Sequence, residues 1–284
     1  INELNNIKTV AEGEALISRG QQLFSRIENL KQRTVALVDG AALGGGLEFA
    51  LACDFIVVTD SDKVKLGLPE VNLGIIPGWG GTQRLPKRMG LIQGIQHIVS
   101  GKIIDGKRAL KLGVADAMVS SAFKHEALME LIRTKKLKRR TAKRGFIERV
   151  PFLRSIIYRK AKASILKKTK HHYPAPIKAL DVIKSSYGGS IKKGMEIEFK
   201  GVTDLFSSSI PKHLTNLFFA QERLKKAGRA YPMSGSSIQQ VGICGAGLMG
   251  GGIGWWFLDG GSSVRFKDIS WDMVRQGYNA AFKV

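Results

Sequence analysis

Apolar and polar positions alternate along the chain in a way that predicts short strands and helices in sequence. Thr34-Val35-Ala36-Leu37-Val38 is a β-rich run, Gly46 to Cys53 is mostly apolar, and Asp54-Phe55-Ile56-Val57-Val58-Thr59 is again β-branched. These patterns predict a strand, a buried helix and a second strand, with a glycine turn before the helix. Further on, Ile177–Lys184 and Met195–Phe206 have helical amphipathic spacing, are separated by Gly188-Gly189, and are followed by a last helix over Leu214–Lys226. The stretch Ala227 to Ser237 is polar and glycine-rich with one proline, which marks a domain boundary. Beyond it, Ile238–Cys244 and Ser263–Lys267 read as strands. An α/β chain is therefore expected, with a domain over 1–228, a linker over 229–237 and the start of a second domain over 238–284.

Chemistry enters with two glutamates in glycine-rich frames. Glu48 lies in Ala42-Leu43-Gly44-Gly45-Gly46-Leu47-Glu48, Glu70 in Leu66-Gly67-Leu68-Pro69-Glu70, and the turn Ile76-Pro77-Gly78-Trp79-Gly80-Gly81-Thr82 follows. Adding water across a double bond conjugated to a thioester requires one group to take a proton from water and another to give one to the α-carbon. Charge building on the thioester oxygen also needs donors, which backbone N–H groups at a helix start supply. Gly45 and Glu48, three residues apart, fall on one face of the first helical turn. Simpler readings exist for each part: a glutamate in a first turn suits the helix dipole, a triple glycine makes a flexible turn, and Gly80-Gly81 before Thr82 makes a capped loop. Their order together favours a site.

The segments ALGGGLEFALACD, LGLPEVNLGIIPGWGGTQRLP and SGKIIDGKRALKLGVADAMV, within the stretch from Val35 to Val119, resemble the core of an enoyl-CoA hydratase (crotonase) domain. The resemblance implies a β-β-α superhelix fold. It also implies that Glu48 and Glu70 are the two catalytic carboxylates and that the Gly45 N–H is one half of the oxyanion hole. Both glutamates together favour hydration of a 2-enoyl-CoA. Isomerisation of a 3-enoyl-CoA and thioester hydrolysis remain as alternatives on the same fold.

A second motif, Gly245-Ala246-Gly247-Leu248-Met249-Gly250, follows the Ile238–Cys244 strand and fits G-x-G-x-x-G opening a helix. The Ser263–Lys267 strand ends at Asp268, about where an acid that takes ribose hydroxyls is expected. Such an acid favours NAD over NADP, although Arg265 and Lys267 nearby weaken that preference. A glycine-rich strand-to-helix turn with no ligand is the alternative. A hydratase core leading into this first βαβ of a Rossmann domain resembles the multifunctional family of bacterial fatty acid oxidation alpha subunits, in which a 3-hydroxyacyl-CoA dehydrogenase domain follows the hydratase. That resemblance implies an NAD cofactor contacted by Gly245, Gly247, Leu248, Met249, Gly250 and Asp268, an acyl-CoA substrate, a thiolase beta subunit as partner and a bacterial cytoplasmic setting. It further implies a fragment truncated at both ends. Early core strands and the second oxyanion donor would precede Ile1, and the dehydrogenase histidine would follow Val284.

Composition fits a fragment of a soluble enzyme, with 44% hydrophobic residues and no apolar run of membrane-spanning length. Cys53 and Cys244 are the two cysteines, which suggests a reducing compartment. His97, His125, His171, His172 and His213 show no metal-ligand spacing, so no metal is expected. The net charge of +22 is less ordinary, and it is concentrated: residues 133–170 hold sixteen Lys or Arg against the single acid Glu148. Around Leu137-Lys138-Arg139-Arg140 and Phe152 to Lys160, basic and apolar residues mix at helical spacing. A solvated helical face, peripheral contact with an anionic membrane, attraction of acyl-CoA phosphates and, less favoured, non-specific nucleic-acid binding are the readings of this span.

Overall fold

The computed structural model describes residues 9–140, 148, 150–206, 208–230 and 237–282. Two compact units result, Ile1–Glu222 and Arg223–Val284.

The first unit is a staircase of strand pairs. After helix α1 (Val10–Glu28) come β1 (Val35–Val38), β2 (Ala41–Leu43) and α2 (Gly45–Ala52), then β3 (Phe55–Thr59) and β4 (Lys65–Gly67). A 3-10 turn (Pro69–Leu73), α3 (Gly81–Met89) and α4 (Leu91–Ser100) lead to β5 (Ile104–Asp105), α5 (Gly106–Lys111) and β6 (Ala117–Val119). In the first two pairs the first strand joins one sheet and the second another; the third pair reverses this, giving β1-β3-β6, parallel throughout, and β2-β4-β5, in which β4 and β5 are antiparallel. This repeated ββα step is the superhelix expected from the sequence. The central strand β3 is apolar on both faces, and Ile56, Val57 and Val58 are fully buried, as a covered parallel strand requires.

Helices complete the unit: α6 (Lys124–Arg133), α7 (Pro151–Thr169), α8 (Pro174–Ser186), α9 (Ile191–Phe206) and the first part of α10 (Ile210–Ala230), which runs past the boundary at Glu222. Ala179, Leu180, Val182 and Ile183 carry α8 into the core, and Gly201 lets α9 close on Val182: a Cβ there would come within 2.5 Å of the valine. The described part of the basic span includes α7, which packs one face on the core. Tyr158 and Ile165 of α7 are buried in the core and Ile157 and Ala161 pack against it, while Arg159, Lys160, Lys162, Lys167 and Lys168 point to solvent. Within that span, 141–147 and 149 lie outside the described residues. No helix among the described residues is long and apolar enough to cross a membrane.

In the second unit β7 (Gln240–Cys244) pairs in parallel with β8 (Ser263–Lys267), with α11 (Leu248–Asp259) between them and α12 (Trp271–Ala281) after. Helix α10 continues to Ala230, through the Ala227–Ala230 stretch read as boundary, because alanine and arginine are strong helix formers that carry one glycine. The rest of the expected linker, 231–236, lies outside the described residues.

One buried ion pair ties these layers together. Arg88 of α3 donates to Asp116 Oδ1 at 2.7 Å, with both side chains almost wholly buried, and Asp116 Oδ2 accepts from the N–H of Ile56 at 2.7 Å. The Arg140 N–H adds a bond to Oδ1 at 2.5 Å. Removing one partner leaves the other charge desolvated. Asp116→Ala is therefore expected to cost about 3–5 kcal/mol, read as a fall in the urea midpoint. Asp116→Asn, which keeps an acceptor for Ile56, is expected to cost less.

Candidate active site

The site forms where two strand ends meet the start of α2. Gly44, at φ +55°, donates its N–H to the Gly67 carbonyl at 2.9 Å, which ties the turn before α2 to the end of β4. Glu70 follows Gly67 by one turn of chain, so this bond brings its carboxylate to the glycine turn. A Cβ on Gly44 would lie 3.1 Å from Glu70 Oε1. Only glycine combines this positive φ with so close an approach. Gly45 begins α2, and its N–H therefore has no carbonyl of its own helix to bond. Its Cα lies under the indole of Trp79, where a Cβ would come within 2.4 Å of the ring. Trp79 in turn packs edge-on to Phe24 of α1, with ring centroids 5.5 Å apart, and covers Gly20.

Glu48 is 2% exposed. Its Oε1 accepts the N–H groups of Trp79 at 2.8 Å and Gly81 at 2.7 Å. Burial pushes its pKa up to about 7, held there against further rise by those two N–H bonds and by the nearby Arg84 charge. Glu70 differs: neither of its buried carboxylate oxygens has a hydrogen-bond partner among the described residues. Burial raises its pKa well above the ordinary carboxylate value, and the charges of Glu48 and Glu198 raise it further. Two carboxylates thus sit side by side with different proton affinities, the N–H-bonded one ionising first. That division is what an acid and a base working on one substrate require.

A third acid, absent from the sequence reading, stands behind the same turn. Glu198 of α9 is fully buried, and its oxygens accept the N–H of Gly80 at 2.6 Å and of Thr82 at 3.0 Å, together with the Thr82 hydroxyl. Arg84 holds the turn to α1, donating to the Trp79 carbonyl at 2.7 Å and to Glu28 at 2.8 Å. Glu198 left a signal in the sequence. It occupies a buried stripe position of α9 with Gly194, Met195, Gly201, Val202 and Leu205, where an acid is out of place.

In the second unit, Gly245 has φ +100° and a Cβ on Gly250 would lie 1.9 Å from the Gly245 carbonyl oxygen, while one on Gly247 would meet open space. Leu248 opens α11, the adjacent Met249 is exposed, and Asp268 at the end of β8 accepts the Ala246 N–H at 2.5 Å. The six residues singled out there converge on one strand-to-helix turn.

The family model described as enoyl-CoA hydratase/isomerase matches residues 3–178, which contain Gly45, Glu48 and Glu70. The chain belongs to the enoyl-CoA hydratase/isomerase family. Within that family it is 41% identical over 280 residues to the fatty acid oxidation complex subunit alpha of Aliivibrio fischeri, covering 98% of this chain and 41% of that protein. The protein of the same name from Vibrio campbellii is 38% identical over 288 residues, covering 100% and 41%. The chain spans about two fifths of the length of these curated relatives. An enoyl-CoA hydratase structure from Rhodobacter sphaeroides superposes with a TM-score of 0.55 at 19% identity, over 75% of this chain and 68% of the other, which shows the shared fold.

The family site carries a stability consequence. An acid that holds its proton more tightly folded than unfolded makes the fold less stable as pH rises from its ordinary pKa to its raised one. Glu48, raised from 4.5 to about 7, and Glu70, raised further, are both of this kind. Glu70→Gln is expected to raise the melting temperature, and by more at pH 8 than at pH 5. A gain of at least about 2 °C at pH 8, which roughly 1 kcal/mol produces in a domain of this size, would appear in thermal melts at the two pH values.

Proposed function

We propose that this chain carries a hydratase of fatty acid β-oxidation that adds water to 2-enoyl-CoA to give 3-hydroxyacyl-CoA. The observation that carries the reading is the pair Glu48 and Glu70, one carboxylate held by N–H donors and the other buried with no side-chain hydrogen-bond partner among the described residues. Glu48, the more readily ionised, takes a proton from water as the water oxygen bonds to C3 of the enoyl group. The C2=C3 electrons move towards the thioester, whose oxygen gains charge and is met by the Gly45 N–H. Protonated Glu70 then delivers its proton to C2, and the two acids reset by exchanging a proton between them. The names of the relatives, subunits of a fatty acid oxidation complex, agree with this substrate class.

The second unit is proposed to bind NAD. The positive φ at Gly245, the space beside Gly247 and the start of α11 at Leu248 together suit a pyrophosphate, with Met249 and Gly250 in the first turn. The Asp268 carboxylate, which accepts the N–H groups of Ala246 and Ile269, supports this reading as the acid that would accept ribose hydroxyls. Bound NAD would accept hydride from the 3-hydroxyacyl product. The resulting 3-oxoacyl thioester calls for thiolytic cleavage, which makes a thiolase beta subunit the partner expected for the full-length protein.

Glu70→Gln in the full-length protein is expected to lower crotonyl-CoA hydration at least about 100-fold, the scale of a lost acid-base group. Near-normal turnover would sink the hydratase reading. For the second unit, Gly247→Val and Asp268→Ala are each expected to weaken NAD binding at least about tenfold by calorimetry, about the loss of one good charge-assisted bond. Unchanged affinity in both would remove NAD from the proposal.

A further inference from the structure

Four successive N–H groups, from Trp79 to Thr82, alternate between two buried carboxylates. Trp79 and Gly81 donate to Glu48, and Gly80 and Thr82 donate to Glu198. Gly80 adopts φ +101°, which gives the backbone the twist that turns alternate N–H groups to opposite sides. The far side of the turn is tightly fixed. Beyond its two N–H bonds, Glu198 accepts the Thr82 hydroxyl, which in turn accepts Gln83 Nε2 at 2.8 Å. Gln21 of α1 donates to the carbonyls of Gly78 at 3.0 Å and Met195 at 3.1 Å, and so joins the start of the turn to α9 beside Glu198. A fully buried carboxylate on an otherwise apolar helix stripe is costly unless its bonds are needed.

We infer that Glu198 is a positioning residue for Glu48, holding the Gly80 and Thr82 N–H groups so that those of Trp79 and Gly81 converge on the Glu48 carboxylate. This rests on the proposed role of Glu48 in hydration. Glu198 itself touches neither water nor substrate in this scheme. Without it, the turn loses the anchor that sets its twist, and the Glu48 carboxylate loses the two donors that keep it aimed and readily ionised.

The test is a double-mutant cycle in the full-length protein, with crotonyl-CoA as the probe and kcat and KM measured separately. Glu198→Gln is expected to lower kcat on the order of 10- to 100-fold, the scale of a small misplacement of a reacting group, with KM changed by less than about threefold. In a Glu48→Gln background the same substitution should cost no more than about a further twofold, because the group it positions is already disabled. An unchanged kcat in Glu198→Gln, or the same factor lost in both backgrounds, would overturn the inference, the second outcome marking Glu198 as merely structural. Near-normal turnover of Glu48→Gln alone would defeat the reading of Glu48, and the inference with it. Thr82→Val removes one bond to Glu198 while keeping both N–H groups, and it serves where Glu198→Gln does not fold. It should lower kcat roughly three- to tenfold, about the worth of one hydrogen bond to a charged group, and again only when Glu48 is present. Equal losses in the two backgrounds, or no loss, would count against the inference in the same way.

Discussion

Buried backbone N–H groups must find acceptors, and the turn from Trp79 to Thr82 has four in a row with no helix or sheet to take them. The chain satisfies them with two carboxylates brought from different places, Glu48 from the first turn of α2 and Glu198 from the middle of α9. This requirement fixes much else. Helix α9 must lie against the turn, α1 must reach it through Gln21 and through Glu28 to Arg84, and α2 must start at Gly45 for Glu48 to point inward. Helices that are distant in sequence are thereby held in register by polar bonds rather than by apolar packing alone.

The electrostatics of the site run against the rest of the molecule. The chain carries a net charge of +22, and much of the excess lies between residues 133 and 170, yet the site buries three acids together. Burial raises the pKa of all three acids; N–H groups facing Glu48 and Glu198 hold them to about 7 and about 8, while Glu70 is raised well above the ordinary carboxylate value by burial and by the two neighbouring acids. Burying acids in this way lowers the stability of the fold as pH rises through neutral. The buried Arg88–Asp116 pair follows the other rule. Its charges are matched to each other and to backbone groups, and its role is to lock α3 to β3 and the start of β6.

Most of the fold was legible because strong local signals agreed with the tertiary arrangement. The β-branched runs at Val35–Val38 and Phe55–Thr59, the apolar helix after the triple glycine and the alternation around Ser263–Lys267 all became the elements they predict, within a residue or two at their ends. The convergence of Gly45, Glu48 and Glu70 was legible through glycine spacing and family resemblance. Glu198 was not, because its function depends on a contact across more than a hundred residues of chain with a turn whose N–H groups carry no sequence mark of needing acceptors. In the 133–170 span the mix of basic and apolar residues left open which apolar positions face the core; Tyr158 and Ile165 do, while Phe152 and the lysines of α7 stay in solvent. Helix α10 outran its expected end because a single glycine among good helix formers is a weak stop.

The indole of Trp79 lies over Gly20 and Gly45 and belongs to the turn that Glu48 and Glu198 hold. The other three tryptophans, Trp255, Trp256 and Trp271, all fall in the second unit. The first unit therefore contains a single tryptophan, placed against the glycine that opens α2. With the three later tryptophans replaced by phenylalanine, and with excitation at the red edge of indole absorption where the tyrosines do not absorb, the emission of this molecule becomes a light signal from the turn alone, so that ligand arrival, protonation of the carboxylates and loosening of the turn can each be followed by colour and intensity without any added label.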